Sequence, residues 1–130
     1  MPDWQPNWDD VDFDHARTQA AIDECERAAG ALDTVVDGLH GAHRQLDSDG
    51  AWRGRYRDDY DTEQPAIVDD AVATRDALRA LALAISDAAG AATAEQARRE
   101  ADRERWREER DRELAQQGYA RLPSGKLVPI

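Results

Sequence analysis

Gly50-Ala51-Trp52-Arg53-Gly54 sets a tryptophan between turn glycines, and on both sides of it apolar residues recur at coiled-coil spacing. Upstream, Trp4, Trp8, Val11, His15, Thr18, Ile22, Cys25, Ala29, Leu32, Val36, Leu39, His43 and Leu46 succeed one another in alternating steps of four and three. Such alternation is the a/d seam of a heptad pattern. Downstream, Tyr60, Gln64, Ile67, Ala71, Thr74, Leu78, Leu81, Ile85, Ala88 and Ala92 repeat it. Two stripes joined by so short a loop must pack antiparallel. The expected fold is therefore all-α, an antiparallel helical hairpin with a Trp-x-Gly turn made by Gly50, Trp52 and Gly54.

Asn7, leading into Trp8-Asp9-Asp10, offers a cap with acid in the first turn, so the first helix is expected from about Trp8 to about Asp47. Gly30, Gly38 and Gly41 each cost it roughly 1 kcal/mol relative to alanine, which leaves its stability to tertiary packing. Gly50 supplies the stop. The second helix is expected from about Arg55, with Pro65 forcing a kink or break near Asp61 to Gln64, or else with Thr62 capping a fresh helix there. Some 40 residues at about 1.5 Å each make a first helix of about 60 Å. The returning helix then draws level with Trp8 near Ala94, and the residues beyond that point overhang.

That overhang is almost wholly charged. Arg98 to Glu113 holds seven arginines and seven acids, closely interleaved at i,i+3 and i,i+4 spacing, and reads as a solvated helical extension. From Gly118 onward, glycine and proline break the helical period and the chain reads as a flexible tail, in which Leu122, Leu127, Val128 and Ile130 could dock in a partner's groove. The segments are then a hairpin over residues 1–95, a charged extension over 96–117 and a tail over 118–130.

Charged residues make up 35% of the chain and aromatics 6%, a balance that suits long helices. A formal charge of -11 repels a phosphate backbone, so nucleic acid is not the expected partner. No run approaches the roughly 20 apolar residues that span a bilayer. The start Met1-Pro2-Asp3-Trp4 lacks the basic and apolar regions of a signal peptide. The single Cys25 sits in the seam and reads as a small core residue. Asp12 with His15, and Asp37 with His40 and His43, have metal-ligand spacing, but they lie on one helix and the second helix has no histidine. No catalytic triad, phosphate loop or zinc spacing is present, so no metal, no cofactor and no enzyme is expected.

A hairpin alone buries only its facing stripes. Outer rows at Ala21, Ala28, Val35 and Ala42, and at Val72, Ala73, Ala77, Ala80, Leu83 and Ala84, widen the apolar arc beyond what one helix covers. A second hairpin is the expected cover, giving a dimeric four-helix bundle.

These residues resemble the WXG family, small helical-hairpin proteins exported by the bacterial type VII (ESX) pathway. Trp52-Arg53-Gly54 matches the family signature, Tyr60 stands eight residues after the tryptophan, and the run Leu81 to Gly90 is similar to the end of the family's second helix. The similarity covers about Val11 to Glu95. It implies a homo- or heterodimer with itself or a related hairpin, acting as a secreted substrate or as the small partner or chaperone of a larger effector. It also implies passage from the bacterial cytoplasm to the outside without a signal peptide. The family's export motif, Tyr-x-x-x-Asp/Glu, is not matched: four residues after Tyr119 stands Pro123, after Tyr56 Tyr60 and after Tyr60 Gln64. The export signal is then expected from a partner.

Trp52 reads as a lid on the bundle end, Arg53, Arg55 and Arg57 as a solvated tip, and Trp4 and Trp8 as packing near Ala92 and Glu95 or marking a contact surface. The alternative function is a cytosolic acidic adaptor or immunity protein that masks a target with the extension and tail.

Overall fold

The computed structural model describes residues 1–49 and 53–130. Gly50, Ala51 and Trp52 lie outside the described residues, so the indole-capped turn is not placed. Helix α1 spans His15–Asp49 and helix α2 spans Arg55–Gln116, and after them come two short strands, β1 over Tyr119–Arg121 and β2 over Leu127–Pro129. The chain divides into two compact units. One is Asp14–Ala89, and the other joins Met1–Phe13 to Gly90–Ile130.

The first unit is the helical hairpin. Asp14, not Asn7, caps α1: its Oδ1 accepts from the Arg17 backbone N–H at 2.9 Å and its carbonyl accepts from Thr18 N–H at 3.0 Å. This satisfies donors that a helix start leaves open. All the expected seam residues of α1 from Thr18 to Leu46 are buried or half-buried, with Ala29 1% and Val36 6% exposed. Contacts across the hairpin run antiparallel, since Asp33 meets Arg75 and Arg79 while Asp47 meets Arg57 and His43 stacks on Tyr60. Gly54 precedes α2 with φ +103°, in the left-handed region that glycine enters without strain, and its carbonyl accepts from Asp58 N–H.

The α2 stripe differs from the expectation at every second position. Tyr60, Gln64, Ala71, Leu78 and Ile85 are covered as expected, whereas Ile67, Thr74, Leu81 and Ala88 are exposed and Val68, Arg75, Ala82 and Ala89 take their places. The cause is Arg75. Reading for apolar residues passes over a charged side chain, yet its guanidinium meets Asp33 of α1 at 2.9 Å and the side chain is only 24% exposed. The helix also continues through Pro65, whose side lies exposed, so the lost backbone hydrogen bond falls where water can replace it, and no break near Gln64 is needed. Arg57 is not part of a solvated tip: it is 9% exposed and held by Asp61 and Asp47.

In the second unit, residues 1–13 form no helix. They are an extended strap along the C-terminal part of α2. Asn7 Oδ1 accepts from Asp9 N–H at 3.0 Å, which closes a local bend in place of a helix start. The C-terminal segment is not a structureless tail. Tyr119 pairs with Pro129, Ala120 with Val128 and Arg121 with Leu127, antiparallel. Leu122-Pro123-Ser124-Gly125 makes the turn, with Gly125 N–H bonded to the Leu122 carbonyl, Leu122 N–H bonded to the Lys126 carbonyl, and Gly125 at φ +83°. In such a hairpin the turn ends on a left-handed glycine. The ribbon is fastened to α2 by Arg121, which meets Asp111 at 3.1 Å and its own loop at the Gly125 carbonyl.

By length and composition α2 also qualifies as a membrane-spanning helix, through an 18-residue window of mean hydropathy 1.2. A count of uninterrupted apolar residues misses it because isolated charges punctuate an alanine- and leucine-rich stretch.

Candidate functional site

In the hairpin unit the candidate site is the apolar surface left beside the seam. Ala29 and Ala82 are small enough to let the helix backbones approach, and neighbouring large residues are left outside the seam. Val35 is 51%, Ile67 54%, Leu81 50% and Leu83 64% exposed. Of the residues expected to meet a partner, Ala21, Val35, Ala42, Ala73, Ala77, Ala80, Leu83 and Ala84 are exposed, and Ala28 and Val72 are half-buried. A groove of about 520 Å³ opens on this unit, lined by Ile22, Glu26, Arg79, Ala82, Leu83 and Ser86. Its lining is charged at Glu26 and Arg79 and apolar at Ile22, Ala82 and Leu83. Hydrogen bonding from Arg75, then from Arg79, holds the Asp33 carboxyl below its ordinary range, so this pair of cations stays matched to a charged acid.

In the second unit the candidate site is the strap-bearing side of α2. Trp106 is 5% exposed. Trp8 meets it edge-on, with ring centroids 5.2 Å apart and planes at 88°. Trp4 donates its indole N–H to Glu109 at 2.7 Å, and the Arg105 guanidinium lies 4.6 Å from its ring centroid. Arg107 lies 5.5 Å from Trp8 and Arg110 5.0 Å from Trp106. Further contacts engage the strap's backbone: Arg103 donates to the carbonyls of Asn7 at 2.9 Å and Asp9 at 2.6 Å, Arg99 donates to Asp9, and Val11 N–H donates to Gln96 at 2.8 Å. Asp10 joins them, its carboxyl held below the ordinary value by the Gln96 amide and then by Arg103. The indole N–H of Trp106 has no hydrogen-bond partner among the described residues, nor has Arg110 Nε. A buried donor left unpaired costs about 1–3 kcal/mol.

Trp4 and Trp8 thus sit by Glu109 and Trp106, well beyond the Ala92 and Glu95 expected of them. A helix would have advanced about 1.5 Å per residue, whereas an extended chain advances about 3.1 Å. Between Val11 and Trp4 the strap therefore covers roughly 20 Å, which matches the rise of α2 from Gln96 to Glu109. Trp106 is hidden from a sequence reading by its fourteen charged neighbours between Arg98 and Glu113. The available signal is that one large apolar residue stands among them.

Tyr60 is half-buried and stacks on His43, with ring centroids 5.8 Å apart. Cys25 is free and half-buried. Leu122, Leu127 and Ile130 are exposed at the ribbon, while Val128 is half-buried. Among the described residues no group of three or more His, Cys, Asp or Glu is placed to hold a metal ion. Compared with known proteins, the chain matches no family model, no curated protein and no solved structure.

Proposed function

We propose that this chain is a non-enzymatic helical-hairpin protein that works by helix–helix association, as a secreted substrate of a type VII pathway or as the small partner or chaperone of a larger effector. The observation that carries the association is the set of large aliphatic side chains flanking the seam, Val35, Ile67, Leu81 and Leu83, each half or more exposed beside alanines, with Leu81 and Leu83 on opposite flanks of α2. Fully burying such a side chain contributes roughly 1.5–3 kcal/mol, so covering those on one flank, already partly buried, supplies a driving force of about 2 kcal/mol or more. The flanking alanines keep the approach unobstructed. In a dimeric four-helix bundle a second hairpin, of this chain or a related one, covers one of these flanks. The pathway rests on the residues that resemble the WXG family.

Light scattering on the purified chain tests the association. Leu81→Asp with Leu83→Asp is expected to turn a dimer into a monomer while circular dichroism stays helical. A chain that is monomeric even at high micromolar concentration, and that also captures no hairpin partner encoded beside it, overturns the reading. For the pathway, the chain is expected in culture medium only when the secretion ATPase is intact. Retention in the cytosol under those conditions would favour an adaptor or immunity protein instead.

A further inference from the structure

The two flanks of the hairpin seam differ in charge. Asp33 of α1 meets Arg79 of α2, so the residues that follow these two at helical spacing share one flank. The groove of about 520 Å³ opens on that flank, with Ile22, Ala82 and Leu83 as its apolar surface and Glu26 on its wall. Asp23 and Asp37 stand on the same side of α1, and Asp69 and Asp76 on the same side of α2. The cations among these carboxylates are taken up within the flank, Arg75 by Asp33 and Asp76, and Arg79 by Asp33. Glu26, Asp37 and Asp69 are exposed and have no cationic partner among the described residues. Val35 and Leu81, two residues on from Asp33 and Arg79, are turned about 200° round their helices to the opposite flank. Their neighbours there are Ala28, Ala77 and Ala84.

The uncharged flank is therefore the one that a second copy can cover. Two acidic flanks laid together would set carboxylates against carboxylates, which costs affinity. An extended chain is no better suited to the acidic flank, because α1 and α2 spend their backbone groups on their own hydrogen bonds and offer it no ladder. A helix brings its own hydrogen bonds with it, and grooves of this kind take the apolar face of an amphipathic helix.

We propose that the acidic flank docks a basic amphipathic helix of another protein, which seats apolar side chains on Ile22, Ala82 and Leu83 and reaches Glu26, Asp37 and Asp69 with lysines or arginines. The apolar contacts supply affinity, and the charges supply encounter rate and selectivity. This is the flank that a second hairpin leaves open, so the proposal stands whether or not that hairpin is present.

Two fluorescent peptides of about five helical turns test it. Both carry the same leucine stripe at i, i+3, i+4 and i+7 spacing, with lysines on the other face of one and glutamates on the other face of its twin. In fluorescence anisotropy at physiological salt the lysine peptide is expected to bind the full-length chain, and the glutamate peptide is not. Glu26→Gln with Asp37→Asn and Asp69→Asn is expected to weaken the lysine peptide roughly tenfold, the effect of three exposed ion pairs. Leu83→Gln is expected to weaken it by about tenfold through lost apolar burial. Removing three carboxylates elsewhere, by Asp58→Asn with Asp59→Asn and Glu63→Gln, is expected to leave binding unchanged, as is Leu81→Gln. All these positions are exposed, and circular dichroism checks that each variant stays helical. The proposal is overturned by no binding of the lysine peptide at high micromolar concentration, by equal binding of its twin, by equal losses in the two triple variants, or by an unmoved affinity in Leu83→Gln. Light scattering on Leu81→Gln reads the association with a second hairpin separately, because Leu81 lies off the groove.

Discussion

The two compact units use α2 in different ways, although its covered positions recur at three-four spacing in both. In the hairpin unit the cover is another helix, admitted by the small Ala29 and Ala82. In the strap unit the cover is an extended chain, gripped by Trp106 and by arginines. The difference comes from what each cover offers. A helix spends its carbonyls on its own hydrogen bonds, so a side chain such as Arg103 finds no free acceptor along its middle. An extended strap leaves those carbonyls open. Heptad spacing therefore says that a helix is covered, while the size and charge of the seam residues say by what.

The severest way to break this comparison is to attack the alanine-lined seam. Val36→Asp places a carboxylate at a site 6% exposed in that seam. It is expected to cost about 4 kcal/mol from lost packing together with a desolvated charge, read as a fall in the denaturant midpoint of the helical signal. If the midpoint holds, the hairpin is not what stabilises α1.

Trp106→Ala attacks the other cover. Deleting a buried tryptophan costs about 3–5 kcal/mol where the packing is cooperative. Part of that is offset here, because the indole N–H has no hydrogen-bond partner among the described residues. The expected result is local: backbone amides of residues 1–13 lose protection in hydrogen exchange while those of Thr18 to Leu46 keep it. Loss of protection throughout would mean that the two regions unfold as one, and the contrast between them would be of shape only.

The hairpin is legible in the sequence because its α1 seam is apolar and regular. Every expected position from Thr18 to Leu46 is covered. On α2 the stripe is harder to read because a charged residue, Arg75, holds a seam position through Asp33, which apolar periodicity cannot register. Pro65 misleads in the opposite sense, since its cost depends on whether the orphaned carbonyl faces water, and sequence does not say. The strap escapes a sequence reading because Asn7-Trp8-Asp9-Asp10 carries the marks of a helix start. What decides against a helix there are the acceptors demanded by Arg99 and Arg103, which lie 90 or more residues away along the chain. The ribbon is legible in part: Pro123-Ser124-Gly125 is turn chemistry, but strands of three residues are too short for alternation to show.

Acid sharpens the contrast with a smaller effect. The Asp10 carboxyl lies below its ordinary value of 3.8, through the Gln96 amide first and Arg103 second. A depressed carboxyl contributes stability that is present above the unfolded value and is lost as pH falls through the folded one. The strap's tether is thus whole at neutral pH and weakens below about pH 3.8. Asp33 in the hairpin unit shifts in the same direction, yet that unit also has an apolar seam, which protons do not touch. Tryptophan emission is expected to report strap release at a higher pH than the loss of helical circular dichroism. Coincident transitions would show that the strap owes its hold to its rings and not to Asp10.

The smallest effect is expected where the ion pairs are densest. Arg98 meets Glu95 at 2.6 Å and Asp102 at 3.9 Å, all on one helix, and its side chain is 65% exposed. Hydrogen bonds from Arg98 and then Arg99 hold Glu95 down to about 2. So low a value points to a strong pair, but Arg98 is largely exposed and Glu95 is 34% exposed, so screening and side-chain entropy cancel much of the attraction. Arg98→Ala is expected to raise the Glu95 titration by NMR while leaving the denaturant midpoint within experimental error of the unaltered chain. The same substitution at Arg103, whose guanidinium reaches across to carbonyls of the strap, is expected to release residues 1–13. If Arg98 proves as costly as Arg103, the charged run acts as a single network, and a bond to an open carbonyl ranks no higher here than a pairing along the helix surface.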